Sequence, residues 1–432
     1  MFRSIVKFTK GIYGRVIQSI AFYPVIITLG FLLFAFAMLE LENLDLAKTL
    51  KENLPYLFIS DYDTARDILT TLVGGVLSLT VFSFSMVMVV LSQASSNFSP
   101  RLLPSLISNK NHQFILGVYI GTLLYCIILL VVLGARGIDS ASLGFSTMLA
   151  AMWGVVCVAL FVYFIHNIST SIQIQNIIES IYNLSNRQID REIERAKDSQ
   201  VELQMVKTDD FTTISAPKTG YFRGFDVSLL PNSFIERGNQ IEVIPYLGAH
   251  IWEGTPMLRL KNKVEEDDLN SVLFCCQLSR NRNDHNDGVG GMVKLMEIAV
   301  KAMSPGINDP GTAIDAITKL IPLLQRVMRL PKITSVSLHE GKIILMKNNI
   351  TASQLMQTLI QPIRLYAKKD NTVVATLIGA LSFLERDTQI SRENREGIRQ
   401  EIQALKKDVE DNINNDLDRE RILKLFQNHN NT

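Results

Sequence analysis

The most informative absence in this sequence of 432 residues is the absence of charge from two long stretches. No Asp, Glu, Lys or Arg occurs between Asp67 and Arg101, and none occurs between Asp139 and Glu179. Such stretches exclude a purely soluble chain, an intrinsically disordered chain and a collagen-like repeat. The net charge of +1 gives no indication of a nucleic-acid partner. The sequence therefore predicts an integral membrane protein whose first partner is the lipid bilayer.

Cysteine is scarce, and the four residues are Cys126 and Cys157 within apolar runs and Cys275 and Cys276 side by side. Their spacing excludes a disulfide framework and indicates neither a zinc site nor a thioredoxin-like site, so we expect buried free thiols. The Walker loop, G-x-S-x-G and H-E-x-x-H are missing. Residues 284–288 differ from a calcium loop because the glycine comes one residue early. We therefore expect no enzyme, no cofactor and no metal.

Four apolar runs are present, each long enough for a bilayer crossing, which takes about 20 residues. They cover roughly residues 16–39, 68–92, 113–134 and 143–166. A basic N-terminal stretch precedes the first run, but this run is too long for a signal peptide and an acidic segment follows it. We interpret residues 1–168 as a transmembrane domain of four helices.

The distribution of Lys and Arg predicts the orientation of these helices. The N-terminal tail carries four basic residues and no acidic residue, whereas residues 40–67 carry seven acidic and three basic residues. Positive side chains favour the cytoplasmic side of a membrane. We expect the protein in the plasma (inner) membrane with both termini in the cytoplasm.

Along the second span a hydroxyl residue recurs every seven positions, which places these residues on one helix face: Thr71, Ser78, Ser85 and Ser92. Gln93 extends the polar character of the helix beyond Ser92. Small hydroxyl residues allow helices to pack closely. The same face also suits the lining of a narrow, neutral, water-filled pore. The sequence leaves both interpretations open.

The third span carries Gly117-x-x-x-Gly121, a motif typical of close helix packing. This motif indicates a tight bundle and favours a homo-oligomer. Arg101, His166 and Asn167 fall at the predicted cytoplasmic ends of the spans. We interpret them as interfacial residues or as the cytoplasmic mouth of a pathway.

The remaining residues predict a cytoplasmic α+β region of three parts. Residues 169–204 extend the fourth span as a connecting helix, residues 205–262 form a small β module, and residues 263–432 form a mainly helical domain with a β-hairpin. The β module contains two similar segments that begin at Ile214 and Gly248 and look like the halves of a biotinyl/lipoyl-type barrel-sandwich hybrid. Its modifiable lysine is not evident, so we expect the shape without the prosthetic group.

The segment Ser304-Pro-Gly-Ile-Asn-Asp-Pro310 interrupts the helical pattern of this domain. Asp309 is a suitable helix N-cap, and Pro310 suits the first helical position. Punctuation between two helices explains the segment. A second hypothesis is a ligand loop that uses Ser304, Asn308 and Asp309 at the helix N-terminus.

Several of these segments resemble the family of predicted membrane proteins known as domain of unknown function 2254. The resemblance rests on Leu91-Ser-Gln-Ala-Ser-Ser-Asn-Phe-Ser-Pro-Arg101 followed by Leu116-Gly-Val-Tyr-Ile-Gly-Thr122, on Tyr163-Phe-Ile-His-Asn-Ile-Ser-Thr-Ser171, and on Ala302–Ala313. The Ser304–Pro310 run within the last segment is the most specific part. The family usually has an Arg-Thr-x-x-Gln-Asp run before that last segment, and residues 280–287 depart from it. The resemblance implies the layout of four spans and carries no activity.

Together these patterns favour a homo-oligomeric, channel-like membrane protein with a neutral pore for small ions, lined by the second span, and a cytoplasmic gating or assembly domain. The alternative is a membrane-anchored scaffold or sensor that does not conduct and binds a partner or small ligand through its cytoplasmic domain.

Overall fold

A computed structural model describes residues 21–42, 59, 61–97, 110–136, 143–171, 173–197, 208, 210–230, 234, 236–280, 288–338 and 343–428. The chain divides into two compact units between Gln173 and Ile174. The first unit holds the long apolar helices, and the second holds the strands and the remaining helices.

Four helices of the first unit are long and apolar enough to cross a membrane, as the sequence predicts. They are α1 (Phe22–Leu41), α2 (Tyr62–Asn97), α3 (Lys110–Arg136) and α4 (Gly144–Ser171). Helix α2 begins before the apolar run because Asp61 caps it, and the Asp61 carboxylate accepts the Thr64 N–H at 2.8 Å. Polar residues thus extend this helix beyond the predicted span.

Helix α3 is the central element of the first unit, since it packs against α1, α2 and α4. Half of its apolar window, 50%, is buried, compared with 11% for α2. Tyr119 and Tyr125 are fully buried side chains of α3 and belong to the two apolar clusters of the bundle. Helix α2 therefore lies at the periphery of the bundle and exposes most of its surface.

The connecting segment differs from the prediction of one helix continuous with the fourth span. Helix α4 ends at Ser171, and a separate helix, α5 (Ile174–Lys197), belongs to the second unit. Helix α5 is strongly amphipathic, so it buries one face within that unit rather than standing free in solvent. The apolar periodicity of the segment was visible in sequence, but the break before it was not.

The described residues of the second unit form eight strands in two sheets. The strands are β1 (Thr212–Ser215), β2 (Gly220–Phe225), β3 (Gln240–Val243), β4 (His250–Ile251), β5 (Pro256–Leu260), β6 (Cys276–Ser279), β7 (Ile333–Leu338) and β8 (Ile343–Asn348). One sheet has the order β1-β5-β3-β8-β7 and the other has the order β4-β2-β6. One apolar cluster includes buried residues of both sheets, among them Phe222, Ile241 and Leu258.

Two features of these sheets differ from the sequence-based expectation. The β-hairpin β7–β8 is not confined to the helical domain, because β8 pairs in parallel with β3. The sequence predicts a helix from Asp268 to Leu278, but the last residues of this segment belong to strand β6, which pairs with β2. The predicted β module therefore completes its sheets with strands from outside residues 205–262. The barrel-sandwich comparison stays an interpretation.

The remaining described helices belong to the second unit. They are α6 (Glu266–Cys275), α7 (Gly288–Ala302), α8 (Pro310–Met328), α9 (Ala352–Leu355), α10 (Gln361–Ala367), α11 (Asn371–Glu385), α12 (Arg392–Asn412) and α13 (Asp416–Asn428). A π-helical turn, Met356–Ile360, joins α9 to α10 just before Pro362, which has no N–H to donate. Buried Arg364 of α10 binds Glu401 and Asp408 of α12.

Candidate functional site

The hydroxyl face of α2 comprises Thr71, Ser78, Ser85 and Ser92, and all four residues are exposed on the outside of the bundle. Gly74 lies on the same face, and nothing approaches its Cβ position within 4 Å. The opposite face of the helix is buried, with Leu69 at 0% and Val76 at 3% exposure. The chain therefore packs α2 by its apolar face and leaves the hydroxyl face without a neighbour among the described residues.

Part of the hydrogen bonding of the hydroxyl face is provided by main-chain carbonyl groups of α2 itself. The Ser78 hydroxyl donates to the Gly74 carbonyl at 2.8 Å, as serines in transmembrane helices commonly do. Phe82 and Val89 are more than half exposed and lie within about 40° of the same direction, given about 100° per residue. The face is uncharged and alternates hydroxyl levels with apolar levels.

The predicted mouth residues are only partly within the described chain. Arg101 lies outside it. His166 is exposed and Asn167 is half-buried near the end of α4, and Gln93 is exposed near the end of α2. The main-chain carbonyl groups of His166 and Asn167 both accept from the Thr170 hydroxyl, at 3.2 and 3.0 Å.

Gly117 and Gly121 lie where α3 meets α1. A Cβ atom on Gly117 would be 2.9 Å from Ile27 Cδ1 and 3.1 Å from the main-chain Cα of Pro24. A Cβ atom on Gly121 would be 2.6 Å from the ring of Phe31. Both glycines thus permit a close approach between two helices, which a larger residue would force apart or require to repack.

Glu42, a buried carboxylate just after α1, carries no signal in the sequence that marks it as a functional residue. Its Oε1 accepts the N–H groups of Phe145 and Ser146 at 2.9 and 3.1 Å, and its Oε2 accepts the Ser146 hydroxyl at 2.8 Å. A carboxylate at this position accepts hydrogen bonds from main-chain N–H groups in the first turn of α4. Its negative charge also interacts favourably with the positive end of the α4 helix dipole. No local signal reveals this, because Glu42 and Ser146 are separated by 104 positions.

The loop before α8 is organised by its own hydrogen bonds. The Asp309 carboxylate accepts the Thr312 N–H at 3.1 Å and the Thr312 hydroxyl at 2.7 Å, which confirms the predicted N-cap. These bonds hold the pKa of Asp309 below its usual range. The Ser304 hydroxyl donates to the Lys301 carbonyl at 2.6 Å, and Asn308 adopts a left-handed φ of 48°. The capping role accounts for this geometry, and the ligand loop stays a hypothesis.

The four cysteines are all buried, as predicted. Across the described ranges, no three side chains of His, Cys, Asp or Glu form a group that could hold a metal ion.

The family model for predicted membrane proteins termed DUF2254 matches residues 17–382. Similar curated proteins include three uncharacterized proteins, one from Mycobacterium bovis and two from strains of Mycobacterium tuberculosis. Each is 25% identical over 260 residues, which cover 58% of this chain and 48% of the relative. The chain thus spans about half the length of these relatives. No solved structure matches it. On the extent of the family match, this chain belongs to the DUF2254 family of predicted membrane proteins.

Proposed function

We propose that this protein is a homo-oligomeric, channel-like membrane protein in which the α2 hydroxyl faces of several copies line a neutral pore. The observation that carries the proposal is the outward position of Thr71, Ser78, Ser85 and Ser92 on a bundle that buries the opposite face of α2. In a single copy these hydroxyl groups would face the lipid. Several copies arranged around α2 would turn them toward one another or toward water.

The chemistry of the face fits small ions that keep part of their hydration shell. It offers hydroxyl and main-chain oxygen atoms and no fixed charge, and Phe82 and Val89 would form apolar constrictions between the hydroxyl levels. Hydrophobic constrictions of this kind gate pores by excluding water. The second unit would lie in the cytoplasm, by the Lys/Arg bias, and would assemble or gate the oligomer.

A second candidate function, a scaffold or sensor that binds a partner, is favoured by a row of three aromatic rings at the β4-β2-β6 sheet that ends in an exposed tryptophan. The rings of Tyr221 and His250 are 4.8 Å apart, and those of His250 and Trp252 are 4.6 Å apart. Trp252 is 65% exposed. Exposed tryptophan is typical of binding surfaces, because it supplies a large contact area at low entropic cost.

Ion flux through the purified full-length protein in liposomes tests the pore. We expect flux from the wild type and its loss in Ser85→Leu, because leucine would narrow and dehydrate a hydroxyl level. Phe84→Leu is the matched control. Phe84 precedes Ser85 on α2, is also exposed, and points about 100° away from it. This control should retain flux.

If flux persists in both Ser85→Leu and Ser78→Leu, the protein conducts ions but the α2 hydroxyl face does not line the pore. Absence of flux from folded wild-type oligomers under all tested cations and anions would contradict the channel and favour the scaffold or sensor.

A further inference from the structure

Helices α1 and α4 leave an open groove between them within the first unit. Helix α1 packs along α3, and α4 packs along α2 and α3. Helices α1 and α4 meet through the rings of Phe31 and Trp153, whose centroids are 4.7 Å apart. The groove beside this contact has a volume of about 290 Å³. Four residues of α1 and one of α4 line it: Ile27, Gly30, Phe31, Phe34 and Trp153.

The sequence of α1 accounts for the groove. Its four lining residues follow the spacing i, i+3, i+4 and i+7, which places them on one face of the helix. Gly30 leaves the space open, because it is exposed and nothing approaches its Cβ position within 4 Å. Ile27 and Phe31 pack against one apolar cluster of the bundle, and Phe34 packs against the other. The packed core therefore holds the walls of the groove in place.

The lining of the groove is apolar. None of the five residues carries a charge, and the Trp153 Nε1 atom is buried, so the indole borders the groove with its carbon atoms. Water needs two or more polar partners in a cavity, whereas an apolar cavity of about 150 Å³ stays dry and binds benzene. An empty groove of larger volume would leave its lining without dispersion contacts on one side. The groove therefore suits a hydrocarbon ligand.

The depth of the groove identifies the source of this hydrocarbon. Helix α1 has 20 residues. At a rise of 1.5 Å per residue it is about 30 Å long, which matches the hydrocarbon core of a bilayer. Gly30 and Phe31 lie near the midpoint of the helix. The groove thus lies at the level of the acyl tails, which water and lipid headgroups do not reach.

We propose that this groove is a binding site for one acyl chain of a bilayer phospholipid, which lies against Gly30 and the indole of Trp153. The bound chain fills the space that the protein leaves between the two helices, and so joins α1 to α4. The site uses no residue of the α2 hydroxyl face and does not depend on the proposed pore.

Quenching of Trp153 fluorescence by brominated lipid tests the site. The chain has two tryptophans, so Trp252→Phe leaves Trp153 as the only one in the full-length protein. This background protein is reconstituted in phosphatidylcholine whose acyl chains carry bromine near their methyl ends, because bromine atoms quench a nearby indole. We expect strong quenching. Bromine near the ester groups should quench less, since the groove lies in the middle of the bilayer.

Gly30→Leu in this background fills the groove, and its Cβ atom enters open space. We expect this variant to lose most of the quenching, because leucine replaces the lipid chain next to Trp153. Gly75→Leu is the matched control on α2, since Gly75 is also exposed, has nothing within 4 Å of its Cβ position and does not line the groove. This control should keep the quenching of the background protein. Leucine is a better helix former than glycine, and circular dichroism verifies the helix content of both variants.

Equal quenching in Gly30→Leu and Gly75→Leu would overturn the proposal, because Trp153 would then report only the lipid around the bundle. A loss of quenching in both variants would overturn it as well, since leucine would then act without filling the groove. Absence of quenching in the background protein would also overturn it, and would assign the groove to a side chain of a second copy.

Discussion

Glu42 joins the end of α1 to the start of α4 through three hydrogen bonds to Phe145 and Ser146. Glu42→Ala would leave the first donors of α4 without their acceptor and remove a negative charge from the helix N-terminus. We expect a loss of about 1–2 kcal/mol in the free energy of unfolding, the upper part of the range for helix caps. Thermal or denaturant unfolding in detergent measures it.

Glu40→Ala is the matched control, because Glu40 is an exposed residue on the same helix two positions earlier. Equal losses in the two variants would show that acidic charge near this end of α1, rather than the cap, stabilises the protein.

Single residues differ in how far sequence could reveal them. The period of seven from Thr71 to Ser92 was visible, because it lies within one helix and needs only the helical repeat. The Asp309 cap was visible for the same local reason. Glu42 was not, because its role depends on partners at the start of another helix. Sequence alone also does not show that Ser83 is buried while the hydroxyl residues at Ser78 and Ser85 are exposed.

The pairing of α1 with α3 depends on Gly121, whose Cβ position meets the Phe31 ring. That ring is itself packed edge-on against Trp153, with ring centroids 4.7 Å apart, and the Phe31 Cβ atom, next to the α1 main chain, lies 3.0 Å from the same position. We expect Gly121→Leu to lower the free energy of unfolding by about 2 kcal/mol or more, as overpacked cores do. Chemical unfolding in detergent checks the value.

Gly134→Leu provides a control on the same helix, since Gly134 is exposed and nothing lies within 4 Å of its Cβ position. Leucine there should be neutral, or stabilising by up to about 1 kcal/mol, because glycine is a poor helix former. Equal destabilisation at both positions would contradict a specific contact between α1 and α3.

Whole elements were predictable where one physical signal dominates. The four apolar helices were found because each carries a long uncharged run, which is independent of tertiary context. The predicted helix Asp268–Leu278 ends instead at Cys275, because the residues from Cys276 pair with β2 and this tertiary contact decides their conformation. The break between α4 and α5 was missed because no glycine or proline marks it.

Several carboxyl groups of the second unit have lowered pKa values in the folded protein. The stability of this unit therefore depends on pH. Burial tends to raise the pKa of Glu242, but hydrogen bonds from Asn348, Thr208 and Arg259 outweigh it and lower that pKa. The pKa of Asp309 is also lowered. Because these groups bind protons more weakly in the folded state, their stabilisation is present above the ordinary carboxyl pKa of about 4 and is lost below it.

We therefore expect the second unit to unfold as the pH falls below about 4. Fluorescence of Trp252 in a Trp153→Phe background follows this unit alone, because the chain has two tryptophans. Asp309→Asn keeps a capping oxygen but no titrating group, so its acid transition should be shallower. A second unit that stays folded with the same fluorescence down to pH 2 would contradict the expectation.

The parallel pairing of β3 with β8 has a consequence for biosynthesis. Residues 240–243 leave the ribosome about 100 positions before their partner strand, which begins at Ile343. Throughout that interval the edge of β3 that later pairs with β8 has no partner strand. An open strand edge of this kind can pair with another chain. The sheet is therefore completed late in synthesis. A chain that terminates before residue 348 would keep β3 as an exposed, aggregation-prone edge strand.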